Sequence, residues 1–121
     1  MRVLCLSANL ELALLRSAVL AIHGVHVDVA RSKKEAERLL NENNYDAGLL
    51  CYSISEKTAE RLTSIFRERN PRRCLIFVSR SPWQPCPVKC DASVSSIDGP
   101  EALVETVLSC KQPSTRLQPR A

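Results

Sequence analysis

Three short runs of uninterrupted apolar residues constrain the fold of this chain more than any other feature of its sequence. They span residues 3–6, 47–51 and 74–78 of the 121 residues. A strand covered on one face alternates apolar and polar side chains, whereas a parallel strand covered by helices on both faces is apolar throughout. The runs therefore predict buried strands in the middle of a parallel sheet.

The segment after the first run has helical periodicity. Its apolar residues recur at three- and four-residue steps, which predicts an amphipathic helix with this stripe toward the core. The stripe consists of Leu12, Leu15, Val19 and Ile22. Asn9 is suited to cap the start of this helix, and Gly24 is suited to end it.

Capping patterns predict the starts of the remaining helices. Ser32 with Glu35, and Ser53 with Glu56, have the spacing of a capping box. Pro100 suits the first turn of a last helix, because its missing N–H has no intrahelical partner there. The sequence thus alternates strand and helix, which is typical of a parallel sheet with helices on both faces.

The remaining strands decide the strand order. Residues 25–29 alternate valine with polar side chains, which predicts an edge strand, and residues 92–94 form a short fifth strand. An edge second strand and right-handed crossovers favour the order 2-1-3-4-5. We therefore predict a flavodoxin-like α/β three-layer sandwich with a five-stranded parallel sheet. Three prolines within residues 80–90 predict that the fourth helix is shortened or replaced by a proline-rich loop.

The domain boundaries follow from composition. Residues 1–111 are predicted to form one domain, and residues 112–121 a disordered tail, since they are polar, hold two prolines and have no period. No apolar run reaches the length of a membrane span, and the first run is too short for a signal peptide. We therefore expect a cytoplasmic protein.

The six cysteines are interpreted as thiols of a reduced protein. Cys86 and Cys90 form a C-x-x-x-C pair, but a metal site usually needs two such pairs, or one pair with nearby histidines. No metal and no other cofactor is therefore predicted. The other four cysteines lie inside apolar runs and are read as small core residues: Cys5, Cys51, Cys74 and Cys110.

The net charge of +4 comes partly from an arginine cluster within residues 67–73. A nucleic-acid reader interleaves such a cluster with aromatic or polar reading residues, and this chain has few aromatics. The cluster is better explained as a solvated helix end, where cations oppose the negative end of the helix dipole. Nucleic acid is therefore not a predicted partner.

The chain resembles the bacterial response-regulator receiver (CheY-like) family over residues 2 to about 110. The resemblance rests on the layout of strands and on the residues that follow them more than on signature motifs. These residues lie in segments 2–12, 45–51, 75–79, 91–94 and 99–103.

The resemblance implies where a phosphorylation site should lie. Receivers place two magnesium-binding acids after the first strand, and the matching positions are Ser7 and Ala8. The phosphate-accepting aspartate ends the third strand, where this chain has Cys51. The hydroxyl after the fourth strand is matched by Ser79, whereas the lysine after the fifth strand is replaced by Ser96.

Loss of these groups predicts a degenerate pseudo-receiver that is not an enzyme. Phosphoryl transfer needs a carboxylate nucleophile, and magnesium prefers carboxylate oxygens. Asp46 cannot substitute, because it opens the third strand and lies roughly 13 Å from the end of that strand. His23 and His26 flank the edge strand, so no Ser-His-Asp set falls on the strand ends.

Two interpretations of these residues remain open. Cys51 is either a small residue that fills the former acid pocket or a reactive thiol, and reactivity would need a nearby cation. No lysine or histidine is expected beside it. Ser7, Ser79 and Ser96 either form a polar cleft or bond to backbone groups at the strand ends.

The function predicted from the sequence is that of a protein-interaction module in two-component or phosphorelay signal transduction. Its contact surface is expected around Trp83, Val88 and Leu103. Trp83 is either an exposed contact residue or a cover for the gap left by the missing helix. The expected partner is a histidine kinase, another regulator or a second copy of the chain. The alternatives are a cysteine-based redox sensor using Cys51 and a receiver phosphorylated at an atypical site.

Overall fold

The computed structural model describes residues 1–110, so the predicted tail at 112–121 lies outside the described residues. Five strands and four α-helices alternate as predicted, except that no α-helix lies between the last two strands. The elements are β1 (Arg2–Leu6), α1 (Leu10–Ile22), β2 (His26–Ala30), α2 (Lys33–Glu42), β3 (Ala47–Cys51), α3 (Glu56–Arg69), β4 (Cys74–Ser79), β5 (Ala92–Ser95), a short 3-10 helix (Ser96–Asp98) and α4 (Pro100–Ser109).

The strands form one parallel sheet in the order β2-β1-β3-β4-β5, which confirms the predicted topology. β2 lies at one edge, as its alternating pattern indicated. The three apolar runs lie in β1, β3 and β4 at the centre of the sheet. The segment between β4 and β5 is a loop, which confirms that the prolines exclude a regular fourth helix.

The sheet separates two apolar cores because successive strand residues point to opposite faces. Cys5, Leu49 and Ile76 face the core beneath α1 and α4. Leu50 and Phe77, which are paired across β3 and β4, face the core beneath α2 and α3. Both faces of the central strands are therefore buried, which is the reason for their uninterrupted apolar sequences.

The predicted inner face of α1 is correct only in part. Val19 packs against the core. Leu15 and Ile22 are 63% and 81% exposed, whereas Ala13 and Leu20 are fully buried. Leucines occur on most sides of this helix, so the apolar pattern alone does not determine which side faces the sheet. Packing against β2 and α4 decides the rotation, and it brings the small side chain of Ala13 toward the sheet.

Two of the three predicted caps are confirmed. The side chain of Asn9 accepts a hydrogen bond from the Leu12 amide at 3.1 Å, and Ser32 accepts one from the Glu35 amide. The third is wrong by two residues, since Ser55 and not Ser53 caps α3. Ser53 lies in the turn after β3, where its hydroxyl has other partners.

The structure joins two cysteines that we expected to be reduced. Cys74 at the start of β4 and Cys110 after α4 form a disulfide, with their Cα atoms 5.8 Å apart. This separation lies within the range that a disulfide spans. The expectation was wrong because residues 36 positions apart give no sequence signal of their proximity. Cys5 and Cys51 are buried free thiols, as expected.

The arginine cluster at the end of α3 binds neighbouring parts of the same chain. Arg67 pairs with Asp91 at 2.9 Å and also donates to the Lys89 carbonyl. Arg69 donates to the Asn41 carbonyl at 2.7 Å. These contacts support the interpretation of a helix end. Within residues 1–110, no helix is both long and apolar enough to cross a bilayer.

Candidate functional site: the carboxyl ends of the strands

Ser7 and Ala8 follow β1 and are held by the turn after β3. The Ser7 hydroxyl lies 3.2 Å from the Ser53 hydroxyl and accepts a hydrogen bond from the Asn9 amide at 3.1 Å. The Ala8 amide donates to the Ser53 hydroxyl at 2.9 Å. One hydroxyl and one methyl group therefore occupy the positions that the receiver resemblance assigns to two metal-binding acids.

Cys51 ends β3 and has a cationic neighbour that the sequence analysis missed. The guanidinium Nη1 of Arg16 donates to its Sγ at 3.1 Å, and the thiol is fully buried. A hydrogen bond from the Cys5 thiol lowers the pKa of Cys51, burial opposes this, and the charge of Arg16 adds to the lowering. The pKa of Cys51 falls to about 7. The same contact with Cys51, together with burial, raises the pKa of Cys5 well above its ordinary value.

Arg16 had a recognisable sequence signal. It follows Leu12 by four residues and precedes Val19 by three, so it lies on the same side of α1 as these residues. The cation beside Cys51 comes from an arginine in the middle of α1 rather than from a lysine or histidine near the strand ends. The expectation named only lysine and histidine, and the cation beside Cys51 is an arginine.

The hydroxyls of Ser79, which ends β4, and of Ser96, which follows β5, bond to backbone carbonyls. Ser79 donates to the Val94 carbonyl at 3.4 Å, and Ser96 donates to the Arg80 carbonyl at 3.2 Å. Of the three serines, only Ser7 contacts Cys51. Each of these serines thus bonds to a backbone group at a strand end.

The other candidate ligands are also separated from this site. Asp46 accepts a hydrogen bond from the Arg2 amide at 2.8 Å, at the opposite end of the sheet, as predicted. Burial and a hydrogen bond with Cys86 raise the pKa of Cys90 to about 11, so this thiol stays protonated near neutral pH. Residues 1–110 contain no group of three histidine, cysteine or acidic side chains arranged to hold a metal ion.

Many solved receiver domains have the same architecture. The receiver domain of Francisella response regulator 1452 has a TM-score of 0.76 and 21% identity, over 94% of this chain and 98% of that chain. TrrA of Thermotoga maritima, solved in complex with Mg(2+)-BeF, has a TM-score of 0.73 and 18% identity, over 90% and 97%. A Burkholderia pseudomallei response regulator with a phosphorylated aspartic acid has a TM-score of 0.73 and 15% identity, over 93% and 68%.

The chain has the receiver-domain fold. No protein-family model matches the sequence, and no curated protein is significantly similar to it. The likeness therefore lies in the arrangement of strands and helices rather than in signature residues.

The residues predicted to bind a partner occupy different places on this receiver fold. Trp83, in the loop between β4 and β5, is 85% exposed and therefore does not fill a gap in the core. Val88 is half-buried and packs against the core beneath α2 and α3. Leu103 is only 5% exposed and belongs to the opposite core, so it is not part of a surface shared with Trp83.

Proposed function

We propose that this chain is a pseudo-receiver, a non-phosphorylatable receiver-like domain that acts in signal transduction by binding another protein. The observation that carries the proposal is that, within residues 1–110, the positions where a receiver holds its acids carry no carboxylate. Ser7 and Ala8 follow β1 and bond to Ser53 in the turn after β3, and β3 itself ends in Cys51. A divalent cation would find no charged oxygen ligand among them.

The guanidinium of Arg16 does not restore phosphoryl transfer. Arg16 could offset phosphate charge, but its nearest partner is the Cys51 sulfur rather than a carboxylate nucleophile. The hydroxyls of Ser79 and Ser96 donate hydrogen bonds to backbone carbonyls, and neither supplies the negative charge of a carboxylate. The proposal therefore also excludes an atypical phosphorylation site at this end of the sheet, because the site offers neither a carboxylate nucleophile nor carboxylate ligands for a metal.

The loop between β4 and β5 is the surface that we assign to the partner. Trp83 presents a large aromatic side chain to solvent, and exposed tryptophans are enriched where few residues carry most of the binding energy. The loop is anchored on both sides, since Tyr52 stacks with Arg80 at 5.2 Å and Val88 packs on the core. The proposed partner is a histidine kinase, another regulator or a second copy of the chain.

We expect no phosphorylation when the protein is incubated with acetyl phosphate and magnesium. The intact mass should not gain a phosphoryl group, and the backbone amide spectrum around Ser7 and Cys51 should not change. An ordinary receiver domain treated in parallel is the control for the reagent. A stoichiometric mass gain, or magnesium-dependent shifts at these amides, would contradict the proposal.

Binding of a partner at the loop between β4 and β5 can be tested with a matched pair of substitutions. Trp83→Ala should weaken binding to the cognate kinase or regulator, or self-association, by at least about tenfold, because it truncates the exposed aromatic side chain. Ile22→Ala, which truncates an exposed apolar side chain of α1, should leave binding unchanged. Equal effects of the two substitutions would exclude a contact surface centred on the loop.

The second candidate function is a cysteine-based sensor, and the contact between Arg16 and Cys51 favours it. A nearby cation and a low pKa are the conditions that make a thiol reactive. Full burial of Cys51 opposes reaction with molecules in solution. The pseudo-receiver proposal is preferred because burial leaves the thiol without direct access to an oxidant.

The ionisation of Cys51 can be measured without access to the thiol. The difference in thiolate absorbance between the native protein and Cys51→Ser should show a step near pH 7, with thiolate above this pH and thiol below it. Arg16→Met should move the step to higher pH, because it removes the stabilising charge. Absence of a step below pH 8.5, the ordinary range of a thiol, would exclude the sensor.

A further inference from the structure

An open pocket of about 490 Å³ lies between α1, the carboxyl ends of β4 and β5, and the start of α4. This volume falls in the range of small-molecule sites, which is about 300–1,000 Å³. The proposed interaction through the β4–β5 loop does not use the pocket. Its walls are mainly aliphatic and include Leu12, Leu15, Val19, Val94 and Leu103.

The polar side chains of the pocket differ in what they can still bind. Ser95 accepts a hydrogen bond from the Ile97 amide, and Ser96 donates to the Arg80 carbonyl. Arg16 is half-buried and donates to the Cys51 sulfur through Nη1. A guanidinium has five N–H donors, so most of those of Arg16 remain free to bind a ligand.

The charge of Arg16 is not balanced by a carboxylate. Within residues 1–110, no carboxylate lies at ion-pair distance from this guanidinium. None of the side chains that line the pocket is acidic. A cation beside aliphatic walls is complementary to a ligand with one anionic group and an apolar body.

We propose that this pocket binds a small amphipathic monocarboxylate. The carboxylate pairs with the free N–H groups of Arg16, since planar guanidinium and carboxylate groups form two parallel hydrogen bonds. The apolar body lies against Leu12, Val19 and Leu103. The site thus makes the domain responsive to a metabolite-sized ligand independently of phosphorylation.

Octanoate is the probe, titrated into the full chain and followed by calorimetry and by backbone amide shifts. We expect saturable binding with shifts confined to Arg16, Val19, Ser96 and their neighbours. 1-Octanol and octylammonium should bind at least about tenfold more weakly than octanoate, since neither offers an anion to Arg16. Arg16→Gln should reduce octanoate affinity to that of 1-octanol.

Two exposed leucines of α1 provide variants that should fold normally. Leu15 lines the pocket, whereas Leu14, which is 51% exposed, does not. Leu15→Asp should weaken octanoate binding at least fivefold by placing a like charge at the rim, and Leu14→Asp should have no effect.

Any of the following outcomes would overturn the proposal. The first is no saturable binding of octanoate at millimolar concentration. The second is equal affinity for octanoate and 1-octanol, or equal effects of the two aspartate substitutions. The third is concentration-dependent dimerisation that Leu15→Asp abolishes and octanoate does not affect, which would assign the pocket to a second copy of the chain.

Discussion

Removal of the Cys74–Cys110 disulfide is expected to lower the free energy of unfolding by about 3–4 kcal/mol. The bond closes a loop with a sequence separation of 36, and it restricts the unfolded chain more than the folded one. Cys74→Ser combined with Cys110→Ser should show this loss in urea unfolding followed by circular dichroism. Reduction of the native protein should produce a loss of similar size.

Thiol counting makes this prediction specific. The native protein should show four free thiols after unfolding without reductant, as expected from the four free cysteines. Cys86→Ser, which replaces a partly exposed free thiol in the loop, is the control and should change stability little. Six free thiols in protein purified without reductant, or no stability difference upon reduction, would contradict the disulfide.

Phe77→Ala is expected to destabilise the domain by about 3–5 kcal/mol. Phe77 is buried at the centre of β4, opposite Leu50, and its truncation leaves a cavity in the core beneath α2 and α3. The loss is a large part of the free energy of unfolding of a typical domain, which is about 5–15 kcal/mol. Chemical unfolding followed by circular dichroism measures the difference.

The same substitution should loosen the loop between β4 and β5. Val88 packs on the core that contains Phe77, so limited proteolysis within residues 80–91 should become faster in Phe77→Ala. Leu14→Ala, which truncates an exposed side chain of α1, should change stability by less than about 0.5 kcal/mol. A loss below about 1 kcal/mol for Phe77→Ala would mean that this core collapses around the cavity.

The sequence alone determined the strands and their order. Runs such as residues 47–51 and 74–78 are apolar because both faces of these strands are covered, and this constraint acts at every residue. The helix caps at Asn9 and Ser32 could also be predicted from the sequence, because a cap depends on neighbours within three residues. The prolines of residues 80–90 excluded a helix by the same kind of local rule.

Only the tertiary structure decided which side chains meet across the sheet. The rotation of α1 about its axis places Arg16 beside Cys51, and its apolar pattern did not define that rotation. The register of β1 with β3 brings Cys5 close to Cys51, and the packing of α4 against the sheet brings Cys110 to Cys74. Local rules act through adjacent residues, whereas these contacts depend on how whole elements pack, which is why the charge environment of Cys51 was missed.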